Sequence, residues 1–260
     1  MKHISSKDNA FFKHLKQLAH SSQQRRRAGN ALLEGIHLAD AYLDACGQPL
    51  HCVVSECALD NAGVQNVLAR VESERLICLP DALFHGLSTV VNGIDLLFVV
   101  TVPTGRLPAH QSTDCVILDA VQDAGNVGSI LRSAAAAGVA DVYCTAGTAF
   151  CWSAKVLRAG MGAHFLLNIV EHCTFEGLAP RLTGQILATT SHADQTIYQQ
   201  DLRQPVAWIF GNEGAGVSEA WMSVVTHPVK IPQPGGMESL NVAASAAVCL
   251  FEAVRQRSRP

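Results

Sequence analysis

Residues 114–138, DCVILDAVQDAGNVGSILRSAAAAG, decide the fold. Cys115–Asp119 is apolar almost throughout and too short for a buried helix, so it reads as a strand covered on both faces. Asp123–Gly138 is a Gly/Asn turn opening into an Ala-rich helix. The same alternation continues downstream, with strands predicted at Val142–Cys144, Leu166–Val170, Ile186–Thr190, Val206–Phe210 and Val229–Ile231 and helix-like segments between most of them. Apolar strands alternating with helices predict a mainly parallel sheet with helices on both faces. Ligands of such sheets sit at the carboxyl ends of the strands.

Upstream the pattern is shorter in period. Helical spacing appears in residues 6–20 (Phe11, Phe12, Leu15, Leu18) and again in residues 31–45 (Leu32, Leu33, Ile36, Leu43). Apolar runs at Cys52–Val54, Leu76–Leu79 and Leu96–Val102, with polar helical stretches near 59–71 and 81–88, predict a small α/β layer. Pro103, Gly105 and Pro108, followed by His110-Gln111-Ser112, break the pattern and read as a linker. The expected organisation is therefore a domain over 1–103, a linker over 104–113 and a second α/β domain over 114–260.

With 48% hydrophobic and 16% charged residues, the composition is that of a soluble globular protein and excludes disorder. No apolar run reaches the roughly 18 residues of a membrane span, and residues 1–30 lack a signal core, so the expected compartment is the cytosol. Nine cysteines without C-x-x-C spacing argue against a disulfide framework and a zinc site. Cys115 and Cys144 read as small core residues, and the scattered histidines, His164 among them, as structural; no metal is expected.

A net charge of −3 is no general sign of nucleic-acid binding, but distribution counts for more than the sum. Residues 1–30 hold Lys2, Lys7, Lys13, Lys16, Arg25, Arg26 and Arg27 against the single acid Asp8. Beside Gly29 and Asn30, the three arginines read as a loop that touches phosphate.

Three segments carry the chemistry: Asp123–Gly138, the Gly-rich turn Phe210–Ser218 (FGNEGAGVS), and the Pro/Gly loop IPQPGGMESLNV at 231–242, which runs into the apolar stretch Ala243–Val254. Their glycines do not form G-x-G-x-x-G after an early strand, and no G-K-[ST] exists, so dinucleotide and triphosphate sites drop out. Gly211, Gly214 and Gly216 would let main chain approach a ligand closely, and a branched side chain at Gly211 is expected to block it. Ser239 reads as the helix N-cap, with Asn241 just inside.

In this order and spacing the three segments resemble the motifs of the SpoU/TrmH family of RNA ribose 2'-O-methyltransferases, within the SPOUT class. Ile4-Ser5-Ser6-Lys7-Asp8-Asn9 and Leu33-Glu34-Gly35 are similar to that family's N-terminal substrate-binding domain. The resemblance implies a trefoil-knotted C-terminal domain, a homodimer formed through it, and transfer of methyl from S-adenosyl-L-methionine to a 2'-hydroxyl of structured RNA, rRNA ahead of tRNA. It implies cofactor contacts from Thr190, Gly211, Ile231 and Leu240, and catalytic positions at Asn126, Arg132, Glu213, Ser239 and Asn241. Arg132 would orient and polarise the hydroxyl; Asn126 and Asn241 could face ribose or phosphate; Glu213 could hold Arg132 or Asn126. Ala215 stands where relatives often carry Lys, which removes one RNA contact. A catalytically inactive RNA-binding protein of the same fold is the alternative.

Overall fold

The computed structural model describes residues 1–88, 93–191 and 193–258. The chain forms two compact units, Met1–Pro103 with Trp152–Phe165, and Thr104–Cys151 with Leu166–Pro260.

In the first unit β1 (Lys2–His3), β2 (Asn30–Glu34), β3 (His51–Ser55), β4 (Leu76–Leu79) and β5 (Leu96–Thr101) form a sheet in the order β1-β4-β3-β5-β2. β1, β4 and β3 are parallel, whereas β5 runs antiparallel to both β3 and β2. The first helix spans Ala10–His20 rather than starting at residue 6, because the Asn9 side chain accepts from the N–H groups of Phe11 and Phe12 and fixes the start. Its Phe12, Leu15 and Leu18 pack with alternate strand residues, among them Leu32, Val53, Ile77 and Leu97. Leu32 and Leu33 belong to β2, not to a helix over 31–45. Gly35, at φ +89°, ends that strand, and the helix Ile36–Cys46 begins after it.

The arginine triplet is likewise not a loop. Ser22–Ala28 is a short helix, capped by Ser21 and closed by Gly29 in the left-handed region. Arg25 is turned inward, 7% exposed, and donates to the carbonyls of Leu18 and Ala19 and to Ser22 Oγ. Its pKa is lowered, chiefly by burial and next by the Arg26 charge. Arg25 therefore ties two helices together and does not face phosphate. Arg26 and Arg27 are exposed.

In the second unit β6 (Cys115–Asp119), β7 (Asp141–Thr145), β8 (Asn168–Cys173), β9 (Gln185–Thr189), β10 (Val206–Gly211) and β11 (His227–Val229) form one sheet in the order β11-β9-β10-β6-β7-β8, every pair parallel. Most predicted boundaries move by one or more residues, and two of the shifts bear on the site or its sheet. Leu166 lies in a 3-10 turn and is 69% exposed, so β8 starts at Asn168; β11 ends at Val229, which leaves Ile231 in the loop beyond it. Alternate residues Cys115, Ile117, Ile186, Ala188, Ala207 and Ile209 share a core with Tyr143 and Trp221. The helix Ala124–Ala136 packs on the helix Val242–Arg257, which also meets β10.

The Pro/Gly stretch read as a linker is held on this second unit. Gln111 is buried; its amide donates to Thr113 and to Asp141 Oδ2 and accepts from Tyr143 Oη at 2.6 Å. Among the described residues no helix is long and apolar enough to cross a membrane, and no group of His, Cys, Asp and Glu could hold a metal ion.

Candidate active site

The sheet order reverses between β6 and β10: from β6 the chain moves out to β7 and β8, and returns on the other side as β9 and β10. The β10–β6 register sets Gly211 opposite Asp119, so the loops leaving these two strands start side by side. Such a switch point is where an open parallel sheet leaves a crevice for a ligand.

A cavity of about 630 Å³ occupies the carboxyl edge there. Its walls are Thr189–Ser191 after β9, Gly211–Val217 after β10, Lys230, Ile231 and Gln233 after β11, and Glu238–Val242 at the start of the C-terminal helix. Thr190, Gly211, Ile231, Leu240, Glu213, Ser239 and Asn241 thus lie together on one cavity, a size suited to a compact organic ligand.

Each loop is shaped by local hydrogen bonds. After β10, Asn212 Oδ1 accepts from the N–H groups of Gly214 and Ala215, Asn212 and Gly216 exchange main-chain bonds, and Asn212 Nδ2 donates to the Ala120 carbonyl. The Gly211 requirement follows: a Cβ there would stand 2.2 Å from the Gly216 carbonyl carbon. A branched residue at 211 would rebuild the turn itself, so it is no clean test of ligand blockage. Asp119, buried at the end of β6, accepts from Ser218 N at 2.8 Å and from Thr145 Oγ1, fixing the far end of the same loop.

A chain of side chains links the three motifs. Asn241 Nδ2 donates to Asn126 Oδ1 at 2.9 Å, Asn126 Nδ2 donates to Glu213 Oε1 at 3.0 Å, and Glu213 also accepts from the main-chain N–H groups of Gln122 and Asp123. Burial raises the Glu213 pKa, but the donors from Asn126, Gln122 and Asp123 and its own N–H outweigh it, and the net shift is downward. The carboxylate is thereby held ionised.

One expectation changes and one open alternative is decided. Asn241, not Ser239, is the helix N-cap, accepting from Ala243 N and Ala244 N, and Ser239 is left exposed on the cavity rim. Glu213 holds Asn126 and not Arg132. Arg132 is exposed, does not line the cavity, and its guanidinium has no hydrogen bond or ion pair among the described residues. It stands six residues beyond Asn126, which turns it about 120° away on the helix. Asn126 and Asn241 spend most of their hydrogen-bonding capacity on each other, on Glu213 and on the helix start. Sequence reading missed Asp119, Thr145 and Asn212, whose only signal was polarity at a strand end, and Gln233.

The cavity fits a ligand gripped by main chain. The N–H groups of Ile231 and Leu240 make no hydrogen bond among the described residues, and Gln233 Oε1 is buried without a partner. These are donors and an acceptor that the described residues leave unpaired.

The profile described as SpoU rRNA Methylase family matches residues 114–251. An uncharacterised tRNA/rRNA methyltransferase of Synechocystis is 34% identical over 98% of this chain and 94% of its own length. A 23S rRNA (uridine(2479)-2'-O)-methyltransferase of Streptomyces viridochromogenes is 29% identical over 96% of this chain and 91% of its own. The solved structure of the SpoU methyltransferase AviRb from Streptomyces viridochromogenes with AdoMet superposes with a TM-score of 0.84 at 28% identity, covering 96% of this chain and 98% of that one.

Proposed function

The chain belongs to the SpoU rRNA methylase family, and from that premise we propose that it transfers a methyl group from S-adenosylmethionine to a ribose 2'-hydroxyl of structured RNA, with ribosomal RNA as the substrate. The observation that carries this reading is the cavity at the carboxyl edge of the parallel sheet, lined by Ile231 and Leu240, whose main-chain N–H groups make no hydrogen bond among the described residues. Thr190, Gly211, Ile231 and Leu240 would hold the cofactor, which when bound supplies an electrophilic methyl group.

The protein's own part is positioning. Main chain in the three loops fixes the methyl donor, and the Asn241–Asn126–Glu213 chain keeps those loops in register, so the attacking oxygen and the methyl group can be aligned. Arg132 is the group that would orient and polarise the 2'-hydroxyl by donating to its oxygen. A guanidinium is a cation with no acceptor, so the hydroxyl proton itself would leave to another group, an RNA phosphate oxygen or water. The exposure of Arg132 and its lack of a partner suit a group that waits for RNA.

The remaining assignments belong to the same reading: residues 1–103 recognise RNA, residues 114–260 form the trefoil-knotted methyltransferase domain, two copies pair through the second unit, and the enzyme works in the cytoplasm without a metal. Mapping 2'-O-methylation in total RNA from cells with and without the gene tests the whole. Loss of one rRNA mark supports it, loss of a tRNA mark changes the substrate, and no lost mark with no transfer in vitro overturns it.

A further inference from the structure

Gln233 belongs to the cavity but to none of the roles above. Its Oε1 is buried without a hydrogen-bond partner, and its Nε2 has none among the described residues. The carboxamide therefore offers one acceptor and two donors in a single plane, all uncommitted. The sequence also holds it still. Pro232 and Pro234 flank it, so φ is fixed on both sides and Gln233 itself is confined to extended backbone. An unsatisfied amide that lines a ligand cavity, on backbone restricted by two prolines, is a reading group rather than a packing residue.

We propose that Gln233 reads the adenine base of the bound cofactor, accepting from its exocyclic amine and donating to the adjacent ring nitrogen. This rests on the cofactor reading above. A carboxamide matches the donor–acceptor pair on an adenine edge in both atoms at once, the same geometry by which Gln reads adenine in DNA. A buried neutral acceptor suits a neutral N–H, whereas the ammonium of the amino-acid end would favour an ionised partner. Apolar neighbours on the cavity wall, Ile231, Leu240 and Val217, suit the faces of a flat base.

The test is calorimetry on the full-length, RNA-free protein with S-adenosylhomocysteine and S-inosylhomocysteine. In the second compound a carbonyl replaces the amine, so the donor that Oε1 needs becomes an acceptor. The wild-type protein is expected to bind the adenine compound roughly 10- to 100-fold more tightly, the range of one bidentate base contact. Gln233→Met, close in volume, is expected to bring that ratio near one by weakening the adenine compound alone, with the melting temperature showing that it folds. Equal wild-type affinities, or a Gln233→Met protein that keeps the wild-type ratio, would overturn the proposal. If Gln233→Met does not fold, Gln233→Ala measured with the same two compounds decides instead. Failure of the wild type to bind either compound would instead remove the cofactor reading beneath it.

Discussion

Asn241 Nδ2 lies 2.9 Å from Asn126 Oδ1 although 115 residues separate them in sequence. The same Asn241 side chain caps the C-terminal helix through Oδ1. One residue thus sets where that helix starts and how its loop meets the helix Ala124–Ala136.

The two duties can be separated. Asn241→Ser keeps a capping oxygen and removes the Asn126 bond, so stability should stay within about 0.5 kcal/mol of wild type while methyl transfer falls. Asn241→Ala removes both and should cost about 1 kcal/mol more. Thermal unfolding beside single-turnover transfer checks this; a serine variant with full activity would show that the inter-motif bond does not matter.

Arg132 has nothing to lose in the folded protein, being exposed and unpaired. Arg132→Ala should unfold like wild type, bind cofactor normally, and transfer methyl at least roughly 100-fold more slowly. A near-normal single-turnover rate would remove its role.

The arginine triplet divides. Arg25→Ala should destabilise the first unit by about 1–3 kcal/mol, because it strips the donors from buried carbonyls of Leu18 and Ala19. Neutralising Arg26 and Arg27 should weaken RNA binding and lower the log-affinity versus log-salt slope by up to about 2. An unchanged slope would mean that neither touches phosphate.

Glu213 sets a pH dependence. Its folded pKa lies below the ordinary value, so its contribution is present above the unfolded pKa, about 4.3, and is lost as pH falls through the lower folded value. The stability gap between wild type and Glu213→Gln should therefore be constant from neutral pH down to about 5 and shrink below that. A gap that widens on acidification would contradict the sign.

How much of this was legible in sequence depended on where the information sits. Cys115–Asp119 and Val206–Phe210 read correctly because strands buried on both faces are apolar without interruption, and the Gly-rich loops announced the edge where the cavity lies. Leu32 and Leu33 misread because five residues of strand followed by a helix mimic one helical period; only pairing with β5, a distant segment, decides. Arg25 and its neighbours are identical in type, and only the tertiary fold turns one of them inward. Ser239 and Asn241 are both good caps, and the bond to Asn126 selects Asn241. Gln233 carried a signal in its flanking prolines, but its unpaired oxygen exists only in three dimensions.

The C-terminal helix makes the last prediction. Its buried residues, Ala246, Cys249, Leu250, Glu252 and Ala253, account for the side that faces its own unit. Phe251 remains 46% exposed, and the adjoining loop exposes Met237 at 72% and Leu240 at 40%. Ala244, Val248 and Phe251 follow a four-then-three spacing, so they form a stripe on the opposite side of the helix. Helix burial within a monomer leaves this stripe unexplained, whereas a second copy laid against it would cover it. Light scattering at micromolar concentration should give dimer mass for the full chain. Phe251→Asp, an exposed position that costs the monomer little, should give monomer mass with an unchanged far-ultraviolet spectrum. Wild-type protein that is folded, binds cofactor and has monomer mass would refute pairing through this face.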